Sequence, residues 1–268
     1  MIRLAVSGAA GRMGVRILTL AAADKAFRIA GALEHSGSPH IGRDAAEILG
    51  LKPLGVPLQA NPEAVFSGAD VVIDFSHHSV VQNHLKAAVK TKTAYVLGTT
   101  GLMPAHLKAL KAASRKIPIV QAPNMSIGVN LLFKLCEMAA KTLDEGYDIE
   151  IYEAHHRMKK DAPSGTAVKL LEVLAEARGR SPKRDAVYGR EGEVGARRRG
   201  EIGVLALRGG DVVGDHTVFF YGDGERIELT HRASSRDAFA QGALRAAKFI
   251  VRRKNGLYDM QQVLGIAS

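Results

Sequence analysis

The sequence predicts an α/β protein: a doubly wound parallel sheet, then a second, α+β domain with a mixed or antiparallel sheet. Three observations carry this. The chain opens on a short apolar strand, a glycine turn and a helix. Strand-like and helix-like segments then alternate as far as Ser126, the habit of a parallel sheet with helical crossovers. Beyond that point two alternating segments, 217–221 and 226–231, flank Gly222-Asp223-Gly224-Glu225, a hairpin signal. The boundary falls near Ser126.

The opening strand carries Ile2, Leu4, Ala5 and Val6 and runs into Gly8-Ala9-Ala10-Gly11-Arg12-Met13-Gly14. A helix follows, with Val15, Ile17, Leu18, Ala21 and Ala22 on its apolar side. Strand, glycine turn and helix is the context of a Rossmann-type dinucleotide fingerprint. Glycines let the backbone approach a pyrophosphate, whose charge meets the helix N-terminus. The spacing here is Gly-x-x-Gly-x-x-Gly, and a tight turn without a ligand is the competing reading. Residues 27–33 read as the second strand, with Glu34 at its end, where a ribose-binding carboxylate belongs. Residues 36–62, rich in Gly and Pro, read as connection with a short helix at 44–49 and a strand at 53–58.

Val71-Val72-Ile73-Asp74-Phe75 opens on three consecutive apolar residues, the character of a strand buried on both faces, and 80–89 reads as a helix. Strand 94–97 ends in Gly98-Thr99-Thr100-Gly101; helix 107–113 and strand 117–120 follow, the strand ending in Ala122-Pro123-Asn124-Met125-Ser126. Both loops lie at carboxyl ends of strands, where ligands of such sheets bind. Residues 127–143 form a helix, 148–153 a strand with one buried face, 202–207 another strand, and 236–253 an amphipathic helix. The glycine- and charge-rich stretch 189–200 reads as a mobile loop.

The balance of 46% hydrophobic and 24% charged residues is that of an ordinary soluble globular chain. One cysteine excludes an internal disulfide and fits a reducing cytoplasm; Cys136 sits in an apolar run and reads as a small core residue. Nothing resembling a signal peptide precedes the first strand, and no apolar run approaches spanning length, so no membrane is expected. The net charge of +10 favours anionic partners. Nucleic acid is not expected: Arg197-Arg198-Arg199 sits among glycines and glutamates, and aromatics are only 5%. The charge reads as solvated surface, part of it serving anionic small molecules.

The chemistry concentrates in Glu153-Ala154-His155-His156-Arg157-Met158-Lys159-Lys160-Asp161-Ala162-Pro163-Ser164-Gly165-Thr166-Ala167. A helix begins near Thr166, with Pro163 and Ser164 suited to its start. Two imidazoles, two ammonium groups and a helix N-terminus thus share one loop. Imidazole donates or accepts a proton near neutrality, and the backbone N–H groups at the helix start, Gly165 and Thr166, make an anion site. Surface histidines and a plain Ser-Gly-Thr cap are the structural alternatives. No metal is expected, because the pair lacks a third ligand at usual spacing.

This run resembles the signature of the 4-hydroxy-tetrahydrodipicolinate reductase (dihydrodipicolinate reductase) family. The N-terminal glycine turn, Gly-Thr-Thr-Gly and His-Arg-Ala-Ser-Ser-Arg at 231–236 are similar as well. The resemblance implies reduction of 4-hydroxy-tetrahydrodipicolinate to tetrahydrodipicolinate with NADH or NADPH, on the route to diaminopimelate and lysine. It implies a nucleotide domain of residues 1–126 and 237–268, and a substrate and oligomerisation domain of 127–236 that joins a homotetramer. It assigns catalysis to His155 and Lys159. Candidate cofactor residues are Gly8, Ala9, Ala10, Gly11, Arg12, Met13, Glu34, His35, Gly98, Thr99, Thr100, Ala122, Pro123, Asn124 and Met125. Candidate substrate residues are His156, Lys160, Gly165, Thr166 and Arg236. Another Rossmann-type reductase, a semialdehyde dehydrogenase or a non-catalytic NAD(P)H sensor are the alternatives. Cys136 is badly placed for the dehydrogenase, and a sensor has no need of His155 and Lys159.

Overall fold

The computed structural model describes residues 1–267. The chain divides into two compact units: Met1–Ile127 with the segment from Arg236 onward, and Gly128–Ser235. The first unit contains β1 (Ile2–Ser7), α1 (Arg12–Ala23), β2 (Phe27–Leu33), α2 (Ala45–Leu49), β3 (Leu58–Gln59), α3 (Pro62–Phe66), β4 (Val71–Asp74), α4 (Val81–Thr91), β5 (Ala94–Leu97), α5 (Pro104–Ala113) and β6 (Pro118–Gln121). After the second unit the chain supplies α9 (Asp237–Ile250), β12 (Gly256–Tyr258) and α10 (Met260–Leu264). The sheet order is β12-β6-β5-β4-β1-β2-β3, with every pairing parallel.

The apolar runs have their cause in this layering. Along β4, Val71 and Ile73 join the core on one face and Val72 the core on the other. A strand covered on both faces cannot alternate with polar residues. Helix α9 belongs to the first core through Ala240, Ala243, Leu244, Ala247 and Ile250. Its start is tied to α1 by two Arg16–Asp237 bonds of 2.6 and 2.7 Å.

The second unit holds β7 (Asp148–His155), α7 (Gly165–Ala177), α8 (Pro182–Asp185), β8 (Ala186–Tyr188), β9 (Ile202–Arg208), β10 (Gly214–Gly222) and β11 (Glu225–Ala233), preceded by α6 (Ile127–Thr142). Its order is β11-β10-β7-β9-β8, mixed: β10 is antiparallel to both neighbours, whereas β7, β9 and β8 are mutually parallel. Ile149, Ile151, Ile202, Val204, Val218 and Phe220 face a core with α6 and α7. Cys136 is fully buried there, and burial pushes its thiol up to about 12. Tyr152, Leu205, Leu207, Phe219 and Tyr221 point to the opposite face, where Leu205 and Leu207 are exposed. No helix of the described residues is long and apolar enough to cross a membrane.

Several expectations need correction. The strand expected at 53–58 shrinks to Leu58–Gln59, because Asp44 accepts N–H bonds from Leu54, Gly55 and Val56 and folds that stretch into a loop. Ala22 is exposed. Pro163 lies outside α7; Ser164 alone is its N-cap, accepting from the Ala167 N–H at 3.2 Å. The 189–200 stretch is irregular but pinned. Arg190 bonds Glu150 and Glu201, and Arg197 bonds Asp148 and the carbonyls of Ile149 and Glu201. The Arg197 side chain is therefore only 20% exposed, not solvated surface. Alternation and apolar period did not reveal β8, β12 or α10, which are three to five residues long.

Candidate functional site

The candidate cofactor residues line one rim of the first sheet, at the carboxyl ends of β1, β2, β5 and β6. Gly8 takes φ +74°, and a Cβ there would stand 2.9 Å from the Phe75 carbonyl. A Cβ on Gly14 would stand 2.1 Å from the Gly8 carbonyl oxygen, so the first turn of α1 closes onto the loop only with glycine at that position. Gly11 caps α1 with no side-chain bond, and its first turn contains no acid. The positive end of the helix is left bare for an anion. These features fit a dinucleotide pyrophosphate.

Glu34 is built into this turn. Its carboxylate accepts the Ala10 N–H and the His35 N–H, each at 3.1 Å, and is 10% exposed. The His35 side chain is 73% exposed. Gly98 packs on the Phe75 ring, Thr99 and Met125 are buried, and Thr100, Pro123 and Arg12 are exposed. Below this rim lies a polar network that sequence reading did not assign. Buried Asp74 bonds His84 Nδ1 at 2.8 Å, the Tyr95 hydroxyl, and the Ser76 N–H at 2.8 Å, which fixes the turn carrying Phe75. Burial opposes the Asp74 charge, but its His84, Ser76 and Tyr95 partners hold the carboxyl below its ordinary value; burial and Asp74 push Tyr95 well up.

The second unit assembles the other candidates, except Arg236, which falls in the first unit as the N-cap of α9. Along β7 the helix-covered face reads Ile149, Ile151, Glu153, His155 and so turns polar at the strand's carboxyl end. Glu153, fully buried, accepts from His155 Nδ1 at 2.5 Å, from Arg208 Nη1 and Nη2 at 2.9 and 2.8 Å, and from the Ser164 N–H at 3.0 Å. Burial alone would raise the carboxyl; these bonds outweigh it and hold it at about 2.

His155 is 9% exposed. With Nδ1 on Glu153, Nε2 is the nitrogen left for chemistry, and a side chain at Gly214 would come within 3.1 Å of it. His216 lies edge-on at 5.2 Å between ring centroids and bonds the Ser164 hydroxyl through Nε2 at 3.1 Å. Burial, with the nearby His155, pushes His216 down to about 3, so it stays neutral. Lys159 pairs with Asp161 at 3.0 Å and is 20% exposed. His156 is half-buried and Lys160 exposed; Gly165 and Thr166 form the first turn of α7, with Gly165 exposed and no acid present. No cluster of three or more His, Cys, Asp or Glu among the described residues is arranged to hold a metal.

Glu153, Arg208, Ser164 and His216 were not picked out as site residues from the sequence. Glu153 carried a signal: alternation through 148–153 places it on the strand's apolar face, where an acid needs a partner. Arg208 carried none, since only the β7–β9 register brings it opposite His155.

Comparison with known proteins follows the same two-part division. The family model described as "Dihydrodipicolinate reductase, N-terminus" matches residues 2–125, and "Dihydrodipicolinate reductase, C-terminus" matches 128–264. The 4-hydroxy-tetrahydrodipicolinate reductase of Anaeromyxobacter dehalogenans strain 2CP-1 is 50% identical over 266 residues, covering 99% of this chain and 98% of the relative. That of Nitrosomonas europaea is 50% identical over 266 residues, with the same coverage. Among solved structures, dipicolinate-bound dihydrodipicolinate reductase from Paenisporosarcina sp. TG-14 is similar with a TM-score of 0.76 and 25% identity, covering 98% of both chains. An amine dehydrogenase from Mycobacterium smegmatis shares the fold at a TM-score of 0.62 and 13% identity.

Proposed function

The chain belongs to the dihydrodipicolinate reductase family, and we propose how its own residues reduce 4-hydroxy-tetrahydrodipicolinate to tetrahydrodipicolinate with NADH or NADPH, a step toward diaminopimelate and lysine. The observation that carries this reading is the β7–α7 loop. It unites a carboxylate-bound imidazole, a lysine and the N-terminus of α7 in a different unit from the glycine turn.

Gly8, Ala9, Ala10, Gly11, Arg12 and Met13 would hold the cofactor pyrophosphate against α1, and Glu34 and His35 would meet the adenosine ribose. Gly98, Thr99, Thr100 and the loop Ala122-Pro123-Asn124-Met125 would hold the nicotinamide half. When bound, that group supplies a hydride.

The substrate is a cyclic dicarboxylate, the class that the dipicolinate bound to the Paenisporosarcina relative represents. The N–H groups of Gly165 and Thr166 donate to one carboxylate, and Lys160 and His156 provide cationic or donor contacts to the ring and its second carboxylate. Loss of the 4-hydroxyl as water and delivery of the hydride to the conjugated system leave negative charge that a proton must quench. His155 delivers that proton from Nε2, since Nδ1 is committed to Glu153. Lys159 exchanges its Asp161 partner for the developing anion and stabilises it.

The exposed sheet face with Leu205 and Leu207 supports burial against copies of the chain, as a homotetramer. The single buried thiol fits work in the reducing cytoplasm. The test is loss of nicotinamide absorbance with substrate generated in place from pyruvate and aspartate semialdehyde. Rapid oxidation of NADH or NADPH that needs both precursors is expected. Cofactor binding without turnover would leave the sensor reading instead.

A further inference from the structure

We propose that Glu153 and Arg208 are a positioning pair for His155. The carboxylate fixes the ring's orientation and tautomer through Nδ1, and the guanidinium keeps that carboxylate from taking the proton itself. The proposal rests on the role given to His155 above.

Three features of the cluster point this way. First, a buried carboxylate needs partners, and a cation with an N–H would be enough. Glu153 instead engages β7 through His155, β9 through Arg208 and the start of α7 through Ser164. Its carboxylate ties β7, β9 and the start of α7 together. Second, Arg208 bonds the Asp161 carbonyl at 2.7 Å with the same Nη2 that holds Glu153. The guanidinium thus spans from the carboxylate behind His155 to the residue paired with Lys159, fixing both proton-bearing side chains in one frame. Third, the neighbouring imidazole cannot share the charge. His216 is 3% exposed and burial keeps it neutral, while its Nε2 shares a 3.1 Å hydrogen bond with the Ser164 hydroxyl.

The proton balance follows. Imidazolium His155 gives its Nε2 proton to the reduced substrate and becomes neutral, keeping the Nδ1 proton on Glu153. Glu153 stays ionised throughout, because Arg208 and the Ser164 N–H hold it. Solvent returns the proton to Nε2 for the next turnover. The charges facing His155 are Glu153 on its own strand, Arg208 on β9, neutral His216 on β10, and Lys159 with Asp161 on the loop; His231 on β11 lies beyond His216, beside Asp215. Of these, Glu153 attracts the imidazolium most closely and Arg208 offsets it.

Opposite signs make the test decisive. Glu153→Gln keeps the shape and removes the anion, so the charged ring loses support. Arg208→Gln removes a repelling cation and frees Glu153 for His155 alone. The measurements are the pH dependence of kcat/KM and an NMR titration of 15N-histidine protein, with the His155 signals assigned from His155→Asn. In Glu153→Gln, kcat should fall about tenfold or more, and both the midpoint and the matching limb of the profile should move to lower pH. In Arg208→Gln both should move to higher pH, and Glu153→Asp should recover part of the shift. A merely structural pair would lower activity without moving the midpoint. Midpoints that stay in place, or move the same way in both variants, overturn the proposal. If Glu153→Gln does not fold, Glu153→Asp and Arg208→Gln decide by the same criterion. The titration needs no turnover, so a wild type inactive on the substrate would sink the proposed function without touching this result.

Discussion

Replacing His216 should remove a defined part of the acid sensitivity of this protein. His216 is 3% exposed, and burial, with His155 beside it, depresses it from 6.5 to about 3. Below about pH 6.5 the unfolded chain protonates this imidazole while the folded chain refuses the proton until about pH 3. Unfolding therefore takes up a proton across that window, and stability falls as pH falls. At 1.36 kcal/mol for each pH unit, the loss from His216 reaches about 3 kcal/mol by about pH 4.5. The assay is urea unfolding followed by circular dichroism at several values between about pH 7 and 4.5. His216→Asn starts from a lower stability, because the Ser164 bond is altered. Its decline with acid should nevertheless be shallower than wild type by about 3 kcal/mol over the window. Parallel declines in the two proteins would refute a buried neutral His216.

Three further outcomes follow from the structure. His35→Arg should shift cofactor preference toward NADPH, since an exposed guanidinium beside Glu34 can clamp a 2′-phosphate better than an imidazole; kcat/KM for both cofactors reads this, and wild type should use NADH at least as well. Gly14→Ala should weaken NADH binding about tenfold or more in a fluorescence titration, because its Cβ would stand 2.1 Å from the Gly8 carbonyl and displace the turn. Light scattering should find a tetramer at micromolar concentration, and Leu205→Glu with Leu207→Glu should reduce its size.

Much of this was legible in the chain. Valine and isoleucine at 71–73 announced a strand covered on both faces, and Gly222 to Glu225 announced the hairpin that β10 and β11 form. The glycine turn and the His155 loop were readable because each is contiguous. What stayed hidden depends on register. Arg208 reaches Glu153 across 55 residues, and Asp74 reaches Tyr95 across 21. The pinned stretch at 189–200 misled for a related reason: Arg198 and Arg199 are exposed as expected, but Arg197 looked solvated until the strands placed Asp148 and Glu150 beneath it.

The division of labour between a cofactor-holding glycine turn and a proton-donating β7–α7 loop is tested most directly by measuring turnover and NADH affinity side by side in His155→Ala and Lys159→Ala. Each should lower kcat about a hundredfold or more, the scale of a lost proton donor or charge stabiliser. The Kd for NADH should stay within about twofold, because the glycine turn at 8–14, proposed to hold the pyrophosphate, belongs to the other unit. Near-wild-type turnover in either variant, or a loss of NADH affinity matching the loss of kcat, would contradict the assignment.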